Sequence, residues 1–348
     1  MPMEEESPVI SMARSGKIMR RSVHTFLQHY QYFTCIAALI ALPFSISVLI
    51  SQTLVVPRSF SLLHSIYARL HSLFDAAGFP SSSEFFALVC LKLSQTISSS
   101  ILTFPFTISF LLLAKASVIH FLKTHFQKYN SNDYNKCSSF LELYSPLLST
   151  HLWNSFVIFS ANATSICILF FAFTFLEGIH FASPKWAIFL SAVGVVFYSI
   201  VLANALVITN LALVSSGMEG SKSEGFFGIL KACVLIRGKT STALVLAVPI
   251  NIGLAAVEAL FHFRLVATSY DHDQRQVWVL ALEGLLIGYL YSIIVVLDVI
   301  ISCFFYQSCM NKSGPLDTTQ INRDQEIDEE GYCYYDNGEK LKGLEEFV

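Results

Sequence analysis

Six residues carry the chemistry this chain can offer within its apolar stretches: Lys92, Glu177, Asn204, Asn251, Glu258 and Glu283. One ammonium, three carboxylates and two amides at hydrocarbon depth make a donor set for a cation, a proton or a small polar solute. An ionisable group there costs at least about 2.5 kcal/mol on insertion scales, so it marks the first place to look for function. Glu258 falls late in one apolar stretch and Glu283 early in the next. The two are therefore expected at similar depth, with Lys92 pairing one of them, Glu177 at the same level, and Asn204 and Asn251 extending the cavity towards mid-depth. The competing reading is a clamp in which these groups hydrogen-bond helix to helix. It is favoured because all but the asparagines stand near an interface, where snorkelling relieves much of the cost. Asp298, about 22 Å further along the helix from Glu283, is expected in a different layer.

Other motifs that could carry chemistry fall short of their spacing. Gly238-Lys239-Thr240 resembles the end of a phosphate loop, but the glycine required five positions earlier is Cys233. There is no H-E-x-x-H and no G-x-S-x-G, so catalysis lacks candidates and an intramembrane enzyme is the remotest reading. The eight cysteines include no C-x-x-C pair, which argues against a metal or disulfide framework. Cys303 and Cys309 bracket the end of the last apolar run, where a thiol can be palmitoylated. His64 and His71 have no acidic neighbour to complete a metal site, and no cofactor is implied. The sequons at Asn162 and Asn311 are expected mid-span and cytoplasmic, and neither should carry sugar.

The elements that must position these groups follow from composition. The chain has 348 residues, 54% hydrophobic and 14% charged, with a mean hydropathy of +0.57; soluble domains carry about 25% charged residues. A net charge of −3 without a basic patch excludes nucleic acid as a partner. Six stretches, near 33–54, 95–118, 153–177, 186–213, 242–263 and 277–305, meet the requirement of about 20 apolar residues for a membrane helix. The expected fold is all-α: a polytopic transmembrane bundle of about six spans with amphipathic interfacial helices. Glu4, Glu5 and Glu6 precede the first span, which starts too far from Met1 for a cleaved signal peptide. With the N-terminus inside, 16 of the 22 lysines and arginines, Lys115 among them, fall in cytoplasmic segments and 6 outside, so both termini are expected in the cytoplasm.

Three parts result: a cytoplasmic segment with a basic interfacial helix at 1–32, the membrane domain at 33–305, and a tail at 306–348. In the first, Ile18, Met19, Val23, Phe26, Leu27 and Tyr30 recur at helical spacing while Arg14, Lys17, Arg20 and Arg21 form a basic side. A second basic collar, Lys231, Arg237 and Lys239, precedes the fifth span, with Gly238 loosening the join. These seven cations are the candidate contacts for anionic lipid headgroups, against a bland reading in which they only anchor the bundle. Residues 57–78 read as an amphipathic helix on the outer side, with Phe60, Leu63, Ile66, Tyr67, Leu70 and Phe74 on one face. The acidic tail is expected to be disordered, and a cytosolic protein could bind it.

"LPFSIS" at 42–47 and "FPFTIS" at 104–109 nearly repeat, each with a proline inside a span, and Pro249 supplies a third kink. Ser45 and Thr107 are expected to satisfy carbonyls freed by the first two. Gly284 and Gly288, spaced four apart, permit close helix approach. The block "IRGKTSTALVLAVPINIGLAAVEALFHFR", with "PFSIS" and the six-span plan, resembles a plant family of uncharacterised six-span integral membrane proteins over most of the chain. In pattern alone it is also similar to bacterial six-span membrane domains. That resemblance implies no catalytic residues. The expected role is a non-catalytic structural, trafficking or membrane-organising component of endomembranes or the plasma membrane; the alternative is a transporter or channel using the buried carboxylates.

Overall fold

Apolar runs of 20 or more residues leave a backbone in hydrocarbon one open way to satisfy its amides. This chain takes it: every regular element among the described residues is helical. The computed structural model describes residues 8–55, 61–76, 84–130, 140–178, 184–219, 225–266 and 274–310. Six helices are long and apolar enough to cross a bilayer: Tyr30–Gln52, Cys90–Phe126, Leu143–Leu169, Ala192–Glu219, Thr240–Arg264 and Trp278–Met310, spans 1 to 6. Their outer faces are apolar, with Phe156, Phe159, Phe171 and Trp278 all more than two-thirds exposed. Water would penalise such surfaces, whereas lipid accepts them.

The third span begins ten residues before its expected start at 153. Pro146, seven residues into the helix Phe140–Gly178, releases the Glu142 carbonyl without ending the helix, and the hydroxyl of Thr150 donates back to the Pro146 carbonyl. The last helix, α11 (Gln274–Met310), likewise outruns the expected end at 305. Residues up to Tyr306 form one compact unit. Most of the expected acidic tail, from residue 311, lies outside the described residues.

Consecutive spans pair as antiparallel hairpins. Tyr32 donates to the Ser117 carbonyl and the hydroxyls of Ser51 and Ser99 meet at 2.7 Å, fixing spans 1 and 2. Asn154 donates to the Thr209 carbonyl at 2.8 Å and Tyr198 to Asn162 at 2.7 Å, fixing spans 3 and 4. The amide of Asn162, read from sequence as an unusable sequon, is thus a clamp between helices. Spans 5 and 6 share a core of Val257, Phe261, Ile287, Tyr291 and Val295, which Leu49 and Leu111 of the first hairpin complete. Gly288 lets span 6 approach span 1: a Cβ there would lie 3.1 Å from Ile46. Gly288 of the Gly-x-x-x-Gly pattern therefore serves packing within the chain.

These contacts also place ends. Tyr32 lies beside Ser117, a Cβ on Gly217 would meet Ile119, and Tyr306 donates to Glu219. The start of span 1 and the ends of spans 2, 4 and 6 thus share one end of the bundle. Helix α1 (Pro8–Gln28) leads into this end and packs on α10 (Thr240–Phe261). His29 breaks the helix between α1 and span 1, and a ring cluster of Phe26, His29, Tyr32, Phe33 and Phe121 fixes the corner, with Tyr32 and Phe121 stacked at 4.5 Å. At the opposite end, α4 (Ser61–Ala76) packs on the helix Glu84–Phe106 that leads through the first half of span 2; Leu63 is buried and Ile66, Tyr67, Leu70 and Phe74 are half-buried, while His64 and Arg69 are exposed. Phe60, expected on the same face, lies outside the described residues.

Both Pro-Phe copies sit at widened π turns. Ala37–Ala41 precedes Pro43, Thr107–Leu111 follows Pro105, and the two π turns touch across the hairpin. The hydroxyls of Ser45 and Thr107 donate to Ala41 and Thr103. The carbonyls released by the prolines are those of Leu39 and Ile101, two positions earlier, so the expected partner assignment is corrected.

Candidate functional site

The residues singled out in the spans do not converge. Glu258 accepts a hydrogen bond from the Tyr291 phenol at 3.2 Å, and Glu283 pairs with the Arg264 guanidinium at 2.8 Å. Both contacts bridge spans 5 and 6, but the hairpin register sets Glu258 level with Tyr291, eight residues from Glu283. The two carboxylates are therefore offset by about 12 Å, and the expected shared depth is corrected. Lys92 is exposed, and among the described residues it forms no ion pair with either glutamate. The side chain of Glu177 lies outside the described residues.

Asn204 and Asn251, expected to line a cavity, are exposed on the bundle surface. Their amides donate to Ile200 and Ala247, four residues back on their own helices, at 3.0 and 2.9 Å. A side-chain amide satisfied this way can face lipid without a partner helix.

A different polar group lies nearer the α1 end. The Lys115 ammonium of span 2 donates to the side chain of Asn210 in span 4 at 3.4 Å. Asp298 and Cys303 of span 6 lie within electrostatic reach of Lys115, as does His151 of span 3. Asp298 and Asn210 line a cavity of about 40 Å³ with Ser302, Leu246 and the small side chains of Ala243 and Ala247. Four spans thus supply polar groups and the fifth supplies room. The buried hydroxyls of Thr242 and Ser216, towards the same end, have no hydrogen-bond partner among the described residues.

Sequence reading placed Asp298 apart and counted Lys115 among the cytoplasmic cations, so the pair was missed. The available signal was that both stand on the same side of mid-span, with Asn210 six residues beyond the more conspicuous Asn204. A second cavity of about 450 Å³, between spans 1 and 2, is lined by Leu42, Pro43, Ile46, Ile50, Leu102 and Phe106 with two serines, and offers no charge.

At the α1 end, Glu219 gathers Lys231 in an ion pair and accepts from Tyr306. Lys231, expected at lipid headgroups, is thereby tied to a carboxylate of the bundle. It belongs to α9 (Phe226–Ile236), an apolar helix of about 16 Å, too short to cross. Left-handed glycines bracket α9: Gly225 at φ +59° and Gly238 at φ +82°. The second makes the turn into span 5, as the loosened join implied, with Arg237 exposed and Lys239 half-buried beside it.

Helix α1 has three faces. Ser15, Ile18, Ser22 and Thr25 are buried; Lys17, Arg20 and Arg21 project on a second side, with Arg14 partly covered; Met12, Val23 and Leu27 are exposed on the third. Of the expected apolar series, Ile18 faces protein, while Val23, Leu27 and Tyr30 do not. Cys303 and Cys309 are buried, which removes the exposed thiols that palmitoylation requires.

A family model described as a domain of unknown function (DUF8558) matches residues 3–328. No curated protein and no solved structure matches the chain.

Proposed function

The chain belongs to this family of unknown function, so its role must be argued from its own residues, and we propose that it is a non-catalytic, membrane-organising component. In this reading its α1 end faces the cytoplasm and engages anionic headgroups of an endomembrane or the plasma membrane. The observation that carries the reading is the three-faced α1. One face is held by the bundle, and the other two present an apolar stripe beside Lys17, Arg20 and Arg21. Apolar burial and attraction to anionic lipid add in such a helix. The excess of lysine and arginine at this end supports the orientation.

Paired polar groups support a clamp over a pathway. Glu258 with Tyr291, Glu283 with Arg264 and Asn154 with the Thr209 carbonyl each join two helices. The alternative of a conduit through Asn204, Asn251 and the glutamates loses its geometry, because the asparagines face outward.

The test is hydrogen exchange of α1 in the full chain, reconstituted in phosphatidylcholine vesicles with and without phosphatidylserine. Greater protection of α1 in the anionic vesicles is expected. It should fall with added salt and vanish in a Lys17→Gln, Arg20→Gln, Arg21→Gln variant. Equal exchange in both lipids would refute the proposal.

A further inference from the structure

Among the described residues, Asp298 differs from Glu219, Glu258 and Glu283 in lacking a donor. Glu219, Glu258 and Glu283 each take a hydrogen bond or ion pair from a named side chain. Among the described residues none reaches the Asp298 carboxylate, and Lys115 acts on it from beyond ion-pair contact. A carboxylate at hydrocarbon depth does not stay bare. The space beside it decides what completes it. The cavity of about 40 Å³ exceeds the roughly 10–15 Å³ that one water needs, and Asn210 and Ser302 add polar partners to the carboxylate.

Position gives this space a short route to bulk water. Ala243 of its wall is the fourth residue of span 5, about 6 Å of rise from the turn at Lys239. Thr242, with its unpartnered hydroxyl, is the residue before it.

We propose that this cavity is a hydrated proton-exchange site, in which water held by Asp298, Asn210 and Ser302 delivers a proton to the Asp298 carboxylate and takes it back. On uptake, hydronium loses its proton to a carboxylate oxygen and remains as water; on release the same water carries the proton out. A proton is favoured over a metal cation because Lys115 already places a positive charge on Asn210, whose side-chain oxygen is one of the two oxygen donors that the wall adds to Asp298, the other being Ser302. The titratable groups around the site are Lys115 from span 2, His151 from span 3 and Cys303 from span 6 itself; the wall residues from spans 4 and 5 carry none. The site is independent of what α1 does at the lipid surface.

Infrared difference spectroscopy of the full chain in nanodiscs tests this directly. A carboxyl band that appears and disappears reversibly with pH, shifts in deuterium oxide and is lost in Asp298→Asn is expected. In Ala247→Leu, which fills the cavity and keeps Asp298, the fast deuterium shift should be lost. This second variant serves if Asp298→Asn fails to fold. An Asp298 signal unchanged from mildly acidic to mildly alkaline pH would overturn the proposal, as would unaltered exchange with the cavity filled. A response to sodium at fixed pH would replace the proton with a metal cation and overturn it equally.

Discussion

Arg264 holds Glu283 at 2.8 Å across the last hairpin, with the two side chains 55% and 32% exposed. Solvent access limits what such a pair contributes, to about 0–1 kcal/mol. Glu283→Gln should therefore lower stability by less than about 1 kcal/mol in thermal unfolding of the detergent-solubilised protein. A larger loss would mean that the pair is shielded more than its exposure implies.

Tyr291 is only 7% exposed, and its phenol is the donor that Glu258 receives from span 6. Tyr291→Phe should cost about 1–3 kcal/mol, because it leaves a half-buried carboxyl without that donor. Glu258→Gln keeps an acceptor and should cost less. A double-mutant cycle reads the coupling, and additive effects would show that the two groups do not support each other.

Gly225 and Gly238 offer a paired comparison. A Cβ on Gly225 meets the Trp153 ring at 3.0 Å, while one on Gly238 meets nothing within 4 Å. Gly238→Ala should cost about 1 kcal/mol from its left-handed backbone alone. Gly225→Ala, with φ +59° and ψ −124°, should cost about 1–3 kcal/mol and perturb tryptophan fluorescence. Equal costs would show that the Trp153 contact yields freely.

Gly288→Val should force spans 6 and 1 apart, since even a Cβ lies 3.1 Å from Ile46. Overpacking of this kind costs about 1–3 kcal/mol. Ile46→Ala in the same chain should restore part of it, and the rescue separates local crowding from a general intolerance of span 6.

Cys233 of α9 sits outside the six spans and is exposed, yet partial desolvation by its neighbours pushes its thiol above the ordinary range. Only the thiolate is alkylated, so a raised value means less reactive sulfur at neutral pH. Iodoacetamide labelling of Cys233 should therefore rise with a midpoint above the roughly 8.5 of a free cysteine. Peptide mass spectrometry across a pH series checks it; a midpoint at or below that of a free thiol contradicts the partial desolvation.

The spans were legible because a 20-residue apolar run has few alternatives in lipid, and Gly238 announced its turn because little else adopts that φ. Partnership was not legible. Glu258 and Glu283 seemed level because both lie near the same turn, but the hairpin register is set by packing among Val257, Phe261, Ile287 and Tyr291. Asn204 and Asn210 look alike in a sequence; only the rotation of span 4 decides that one faces outward and the other a cavity. Lys115 was hidden for a related reason, since a lysine near a span end reads as headgroup anchor until a neighbouring helix supplies its acceptor.

The facing π turns of spans 1 and 2 have a mechanical consequence. Two rods weakened at one height share a hinge line, so the portion carrying Ser51 and Ser99 can tilt as a single lever. The portion that bears Lys115 lies across that line, on the far side of both turns from α4.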